Sequence, residues 1–86
     1  MRKIKSEKIQ KSISKKLIQL RDALGYSQRT VAKDLHLNQA QLCHYENRTN
    51  IPSTINIIEL ADYYGVSIDW LVGRSKNTFL EDNEKI

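Results

Sequence analysis

The sequence is poor in the features that mark disulfide-bonded, secreted or membrane-spanning proteins. It has a single cysteine, Cys43, which has no partner for an internal disulfide and fits a reducing compartment. Its longest apolar runs are two or three residues, far short of a transmembrane helix. The basic N-terminus lacks the apolar stretch of a signal peptide. For a chain of 86 residues we therefore expect one cytoplasmic domain with no membrane partner.

Glycine and proline are also scarce, with three and one residues respectively, and the glycines close segments of helical periodicity. Gly25, Gly65 and Gly73 each stand at a predicted helix end. Five short helices are expected, each preceded by a residue that can act as an N-cap. These predicted caps are Ser12, Ser27, Asn38, Ser53 and Ser67. Because no segment alternates as a strand does, the predicted fold class is all-α.

Apolar residues recur at helical spacing and predict a shared core. In the first helix they follow an i, i+4, i+7, i+11 pattern from Ile13 to Leu24. The third helix would turn Leu42 and Tyr45 inward, and the fourth would carry a broad buried stripe. The core residues predicted for the second and fourth helices are Val31, Ala32, Leu35, Ile57, Ile58, Leu60, Ala61 and Tyr64.

Positive charge is concentrated at the start of the chain. Residues 1–25 carry eight Lys or Arg against two acids, whereas residues 51–73 carry none against three, within a net charge of +4. This asymmetry suggests a polyanionic partner approached with one end of the molecule. A solvated, lysine-rich tail explains the charge equally well. Residues 1–12 are thus a basic arm or an extension of the first helix, with Lys3, Lys5, Lys8 and Lys11 as candidate phosphate contacts.

The most informative stretch is QRTVAKDLHLNQAQLCHYEN, residues 28–47, which predicts two short helices joined by a tight turn at His36. Ala32 is small where the two helices would approach most closely. Polar or small residues recur at i, i+1, i+4, i+5 and i+8 of the second helix, which is one outward face. A face without acids suits the donors and acceptors of the DNA major groove. It comprises Gln39, Ala40, Cys43, His44 and Asn47.

Short motifs flank this stretch: Leu20-Arg21, Tyr26-Ser27-Gln28, Tyr45-Glu46-Asn47, Pro52-Ser53, and GVSIDWLVGR ending at Arg74. With them, residues 13–74 resemble the phage repressor and Cro-like (XRE) family of helix-turn-helix regulators. The resemblance implies a compact five-helix, lambda-repressor-like DNA-binding domain, followed by a polar tail at residues 75–86. It also implies a transcriptional regulator of repressor type that binds a palindromic DNA operator as a homodimer.

The resemblance further implies roles for single residues. Gln39, Ala40, Cys43 and His44 correspond to the surface that faces base edges. Arg21 and Glu46 match a buried ion pair that ties the first helix to the recognition helix. The turn residue His36 and the loop residue Arg48 stand where glycine is common in the family. The implied phosphate contacts are Gln28, Asn38, Asn47 and Arg48.

Each of these side chains also has an alternative interpretation that involves no DNA contact. Gln39 would bind adenine through N6 and N7, or would simply be solvated. Asn38 and Gln41 have the spacing of a capping box, and this pattern favours a role in starting the helix over a role in base recognition. His44 would be either a DNA contact or an ordinary exposed polar residue.

The composition argues against metal and catalytic chemistry. A structural zinc site needs four ligands, and the chain offers one cysteine and two histidines. Glu46 is the only nearby fourth candidate, and the resemblance assigns it to Arg21. No third group would orient Cys43 as a nucleophile. We therefore expect no metal, no cofactor and no enzymatic activity.

A protein partner is the rival prediction. An antitoxin or regulator subunit of this fold would bind another protein through the tail, where Phe79 and Leu80 are apolar. The same two residues, with Ile55 and Trp70, are candidates for a dimer contact. Alternatively, Trp70 covers one side of the core and Ile55 is a single exposed apolar residue.

Overall fold

A computed structural model describes residues 3–78, with side chains from Ser6 onward, and within this range it contains five α-helices and no strand. This confirms the all-α fold class. Helix α1 contacts α3 and α5, α2 packs on α3, and α4 packs on α5. The helices are α1 (Lys3–Leu24), α2 (Gln28–Asp34), α3 (Gln39–Glu46), α4 (Thr54–Tyr64) and α5 (Ile68–Val72).

Four of the five predicted N-caps are confirmed. Ser27, Ser53 and Ser67 each accept a hydrogen bond from the backbone three residues ahead. Asn38 Oδ1 accepts the Gln41 N–H at 2.8 Å, and the Gln41 side chain accepts the Asn38 N–H at 3.4 Å. This reciprocal pair is the predicted capping box. It fixes where α3 begins.

The predicted cap at Ser12 was wrong, because α1 begins at Lys3, so residues 3–12 are the helix extension that was one of the two alternatives for this segment. Ser12 lies inside the helix, where its Oγ donates to the Leu71 carbonyl of α5 at 3.0 Å. Ile9 stands four residues before Ile13, so it continues the same apolar face and packs against the core. The apolar pattern therefore starts a full turn earlier than predicted.

The core lies between α1, α3, α4 and α5, with α2 closing one side. The prediction for α4 was wrong at Ile58, whose side chain is 41% exposed. Ile58 follows Ile57 by one residue, so it lies about 100° round the helix axis from the inward stripe. The buried apolar residues of this core are Ile13, Leu17, Val31, Ala32, Leu42, Tyr45, Leu60, Ala61, Val66 and Leu71.

The chain after α5 folds back on the start of that helix. The Ser67 N–H donates to the Thr78 carbonyl at 2.8 Å, and Ser67 Oγ donates to the Asn77 carbonyl at 3.0 Å. The first residues of the predicted polar tail therefore pack on α5. Phe79, Leu80 and the rest of the tail lie outside the described residues. None of the described helices combines the length and apolar character needed to cross a membrane.

Candidate nucleic-acid interface

The turn between α2 and α3 sets the angle of the two helices. His36 adopts a left-handed conformation, with φ at 58°. The next residue, Leu37, donates its N–H to the Ala32 carbonyl at 2.8 Å and so closes the end of α2. A histidine in this region costs about 1–2 kcal/mol compared with its preferred conformations. Ala32 of α2 is buried in the core, as predicted.

Helix α3 is fixed on its inner side by two polar contacts as well as by its apolar residues. The Tyr45 carbonyl accepts a hydrogen bond of 2.6 Å from Ser14 Oγ of α1. The Tyr45 hydroxyl accepts one of 2.8 Å from Asn56 Nδ2 of α4. Sequence reasoning missed both partners. A signal for Ser14 exists, since it is a polar residue on the buried face of α1 beside Ile13.

The structure brings Arg21, Gln28 and Glu46 together behind α3. Arg21 Nε lies 2.8 Å from Glu46 Oε2, and Arg21 Nη2 lies 2.9 Å from Oε1. Gln28 Nε2 donates to the same Oε1 at 2.9 Å. The side chains of Arg21 and Glu46 are 17% and 4% exposed, and their hydrogen bonds raise the pKa of Arg21. The forked Arg21–Glu46 pair joins α1 to α3, and the Gln28 hydrogen bond adds α2.

This arrangement bears on the phosphate contact predicted for Gln28. A side-chain amide has two N–H donors, and Glu46 takes one of them. The second has no hydrogen bond within the described part of the chain. Gln28 is partly exposed at the start of α2, so this donor is free for an acceptor from outside.

Tyr64 of α4 adds a polar atom to this buried region. Its hydroxyl is inaccessible to solvent and has no hydrogen-bond partner among residues 6–78. Burial, and secondarily the negative charge of Glu46, raise the pKa of Tyr64 to about 12. Sequence reasoning placed Tyr64 in the apolar stripe but gave no signal of the nearby carboxylate.

The outer face of α3 holds the predicted base-reading residues. Gln39, Ala40 and His44 are exposed, and Cys43 is half-buried between them and the core. Asn47, the C-cap of α3, sends its Nδ2 toward Cys43 Sγ at 3.8 Å. No acidic side chain lies on this face, because Glu46 is turned inward and buried. The face therefore offers neutral donors and acceptors without repelling an anionic backbone.

The loop after α3 is ordered by a threonine that sequence reasoning missed. Thr49 Oγ1 lies 2.7 Å from His44 Nδ1 and 2.7 Å from Asn47 Oδ1. Arg48, between Asn47 and Thr49, is left-handed, with φ at 68°, and exposed. The common glycine at this position is thus replaced by a residue that accepts the conformation and adds a positive charge. No motif in the sequence pointed to Thr49.

The N-terminal part of α1 lies beside this loop. Gln10 Nε2 donates to the Arg48 carbonyl at 2.8 Å. Lys8 and Lys11 border a surface cleft of about 570 Å³ together with Asn47 and Arg48, and Glu7 is its one acidic residue. The helix extension thus carries two of the candidate lysines to the predicted phosphate contacts. The side chains of Lys3 and Lys5 lie outside the described residues.

The remaining polar side chains form no metal centre in the part of the chain that the structure describes. There, no three residues among His, Cys, Asp and Glu lie close enough together to hold a metal ion.

Trp70 is half-buried against the core, and the Lys16 Nζ lies 4.6 Å from its ring centroid. Lys16 Nζ also donates to the Trp70 carbonyl at 2.5 Å, so this tryptophan has partners within its own chain.

Five helices, four of them with a side-chain N-cap, a tight α2–α3 turn and an exposed, acid-free face on α3 define a helix-turn-helix domain. The helix-turn-helix family matches residues 17–71, and the chain belongs to this family, in its XRE-type branch. The match runs from within α1 to α5 and includes α2, the turn, α3 and the loop after it, whereas Lys8 and Lys11 lie before it.

A curated relative extends the comparison. Over 65 residues the chain is 32% identical to the HTH-type transcriptional regulator ImmR of Bacillus subtilis (strain 168). The aligned region covers 76% of this chain and 51% of the relative. The chain therefore spans about half the length of that protein. No solved structure matches the chain significantly.

Proposed function

We propose that the chain is a transcriptional regulator that binds double-stranded DNA sequence-specifically with the outer face of α3. The observation that carries this proposal is that α3 is held from behind by α1, α2 and α4 while its outer face is exposed and free of acids. Rigid support matters because base reading requires side chains in fixed positions. Membership of the helix-turn-helix family and the name of the relative support the same function.

In this mechanism α3 enters the major groove. Gln39, at the first turn of the helix, binds an adenine through N6 and N7, and Ala40 packs on a thymine methyl group. Cys43 and His44, one turn further along, face the next bases. No covalent step, metal or cofactor takes part.

Phosphate contacts fix the position of α3 in the groove. The second N–H of Gln28, the side chain of Asn38 and the end of α3 at Asn47 approach the backbone. Arg48 adds a full positive charge beside Lys8 and Lys11. Contacts of this kind set orientation but do not distinguish sequences.

The chain acts as a homodimer on a palindromic operator and represses by blocking polymerase there. Two α3 helices then occupy half-sites about 34–36 Å apart, one turn of DNA. Ile55 of α4, 68% exposed, is available for contact between the copies, with Ile58 one turn along the helix. Trp70 is less available, because Lys16 and the core cover it. The cytoplasm is the compartment we propose for this regulator, because its single cysteine fits a reducing environment.

Selection from a random pool of DNA duplexes with the full chain tests this function. We expect enrichment of one motif with two-fold symmetry and half-sites one turn apart. Sedimentation of the complex on that motif should then give two chains per duplex. A pool that stays random after repeated rounds would overturn the proposal, and an asymmetric motif bound by one chain would overturn the dimer.

A further inference from the structure

Three side chains at the end of α3 form a chain of hydrogen bonds that we name the His44–Thr49–Asn47 relay. Thr49 Oγ1 stands in the middle, 2.7 Å from His44 Nδ1 and 2.7 Å from Asn47 Oδ1. His44 lies on the proposed DNA-reading face, whereas Thr49 lies in the loop after it. The positions of the protons in this relay follow from what each atom can donate.

The hydrogen bonds around Asn47 fix the orientation of its side-chain amide. The Thr49 backbone N–H donates to Asn47 Oδ1 at 3.2 Å, and a backbone N–H cannot accept. The atom that faces it is therefore the oxygen. The amide nitrogen points the other way, toward Cys43 Sγ at 3.8 Å. Asn47 consequently presents only an acceptor to the Thr49 hydroxyl.

The Thr49 hydroxyl has a single proton to donate. Its two other neighbours are Asn47 Oδ1 at 2.7 Å and the His44 carbonyl at 3.3 Å, and both are acceptors. Two oxygens at 2.7 Å repel each other unless a proton lies between them. The hydroxyl proton therefore goes to Asn47, and none is left for the imidazole.

The proton between Thr49 Oγ1 and His44 Nδ1 must then come from the ring. Neutral imidazole has one N–H and one bare nitrogen, so a proton on Nδ1 leaves Nε2 as an acceptor. Nε2 has no hydrogen bond within the described part of the chain. Free histidine in water favours the opposite arrangement, with the proton on Nε2. The relay thus reverses the ordinary preference.

We propose that the His44–Thr49–Asn47 relay determines which bases His44 selects, by holding neutral His44 with its proton on Nδ1. This inference rests on the proposed function, in which His44 faces base edges. A bare Nε2 accepts from the exocyclic amines of adenine N6 or cytosine N4. It is repelled by guanine O6 and thymine O4, which are acceptors. Thr49 and Asn47 act as positioning residues that never touch the bases.

The first part of the test needs no DNA. The full chain, labelled with ¹⁵N, is studied by NMR at about pH 8, where histidine side chains in general are mostly neutral. The ring nitrogen shifts of His44 should show a protonated Nδ1 in the wild type and in Thr49→Ser, which keeps the hydroxyl. In Thr49→Val, which has the same shape without the hydroxyl, the proton should move to Nε2. A wild-type proton on Nε2, or no change in Thr49→Val, would overturn the proposal.

The second part measures base preference by selection at the same pH. Wild type and Thr49→Ser should favour adenine or cytosine over guanine or thymine at the His44 position, by about threefold to tenfold for one hydrogen bond. Thr49→Val should reverse this preference there and leave the other positions unchanged. His44→Ala should show no preference at that position.

The two parts separate failure of the relay from failure of the proposed function. If NMR gives the expected protons but Thr49→Val selects the same bases as the wild type, the relay does not set specificity and the inference is wrong. If no variant selects any sequence, the DNA-reading function itself fails, whatever the NMR result.

Discussion

At the scale of single residues, α3 has two kinds of side chain: those that anchor the helix to the rest of the domain and those exposed to solvent. Leu42 and Tyr45 are buried, and Glu46 accepts three hydrogen bonds from Arg21 and Gln28. A charged group this deeply buried is stable only when its oxygens are paired. The side chains exposed on the outer face of α3 do not hold the helix in place. They can therefore bind DNA, or be substituted, without disturbing the fold.

Tyr64 shows how a single buried group makes stability depend on pH. The pKa of Tyr64 is about 12 in the folded chain, against about 10 for an exposed tyrosine. Between these values the unfolded chain loses the hydroxyl proton while the folded chain keeps it. Stability is therefore fully present below about pH 10 and falls as the pH rises toward 12.

Tyr64→Phe is expected to reduce this alkaline loss. Near neutral pH its free energy of unfolding should match or exceed that of the wild type within about 1 kcal/mol, because the removed hydroxyl has no partner among residues 6–78. Urea unfolding at several pH values between about 8 and 11 measures the difference. Tyr26→Phe is the control, since Tyr26 is 40% exposed and should behave like the wild type. Equal alkaline sensitivity in wild type and Tyr64→Phe would contradict this interpretation.

At the scale of elements, the start of α3 depends on the capping box of Asn38 and Gln41. Asn38→Ala should lower the free energy of unfolding by about 1 kcal/mol, because the Gln41 N–H loses its acceptor. Asn38→Ser keeps an acceptor at the cap and should retain most of the stability. Chemical unfolding of the three proteins gives the comparison. Equal stability of Asn38→Ala and the wild type would show that the cap contributes little.

Local sequence patterns predicted most of the helices, because an N-cap and a left-handed glycine at the C-terminus of a helix each depend on only a few neighbouring residues. Ser27, Asn38 and Ser53 could be assigned from the residues next to them. The start of α1 could not, because the contact that uses Ser12 comes from the Leu71 carbonyl, far along the chain. The return of the chain to Ser67 after α5 was missed for the same reason.

The candidate site was predictable in part. The outward face of α3 follows from helix periodicity, and the structure leaves Gln39, Ala40 and His44 exposed there. Thr49 was not predictable, since its role depends on the fold of the loop around the left-handed Arg48. Gln28 was expected only as a phosphate contact, and its bond to Glu46 became visible only once α2 and α3 were placed together.

At the scale of the whole molecule, charge is distributed unevenly over the surface. Lys8, Lys11 and Arg48 lie together at the end of α3, whereas residues 51–73 carry three acids and no base. Such an arrangement orients the molecule toward a polyanion before any close contact forms. DNA binding should therefore weaken steeply with salt, since counterions are released as phosphates are neutralised.

Arg48→Gln tests this electrostatic contribution. It should weaken binding equally on all sequences and reduce the slope of log affinity against log salt by about one per chain. Glutamine, like arginine, has a Cβ at this left-handed position and a polar end group, so the main change is the loss of the charge. Lys15→Gln, on the exposed side of α1, is the matched control and should keep the wild-type slope. An unchanged slope in Arg48→Gln would remove Arg48 from the phosphate contacts.

The most direct measurement of whether α3 reads DNA compares the sequences selected by the wild type and by Gln39→Ala. We expect the same symmetric motif with discrimination lost at one base position in each half-site, a change on the order of 1–3 kcal/mol. Gln19→Ala, which removes an exposed glutamine from α1, should leave the motif intact. An identical motif from Gln39→Ala would show that the outer face of α3 does not read sequence through this residue.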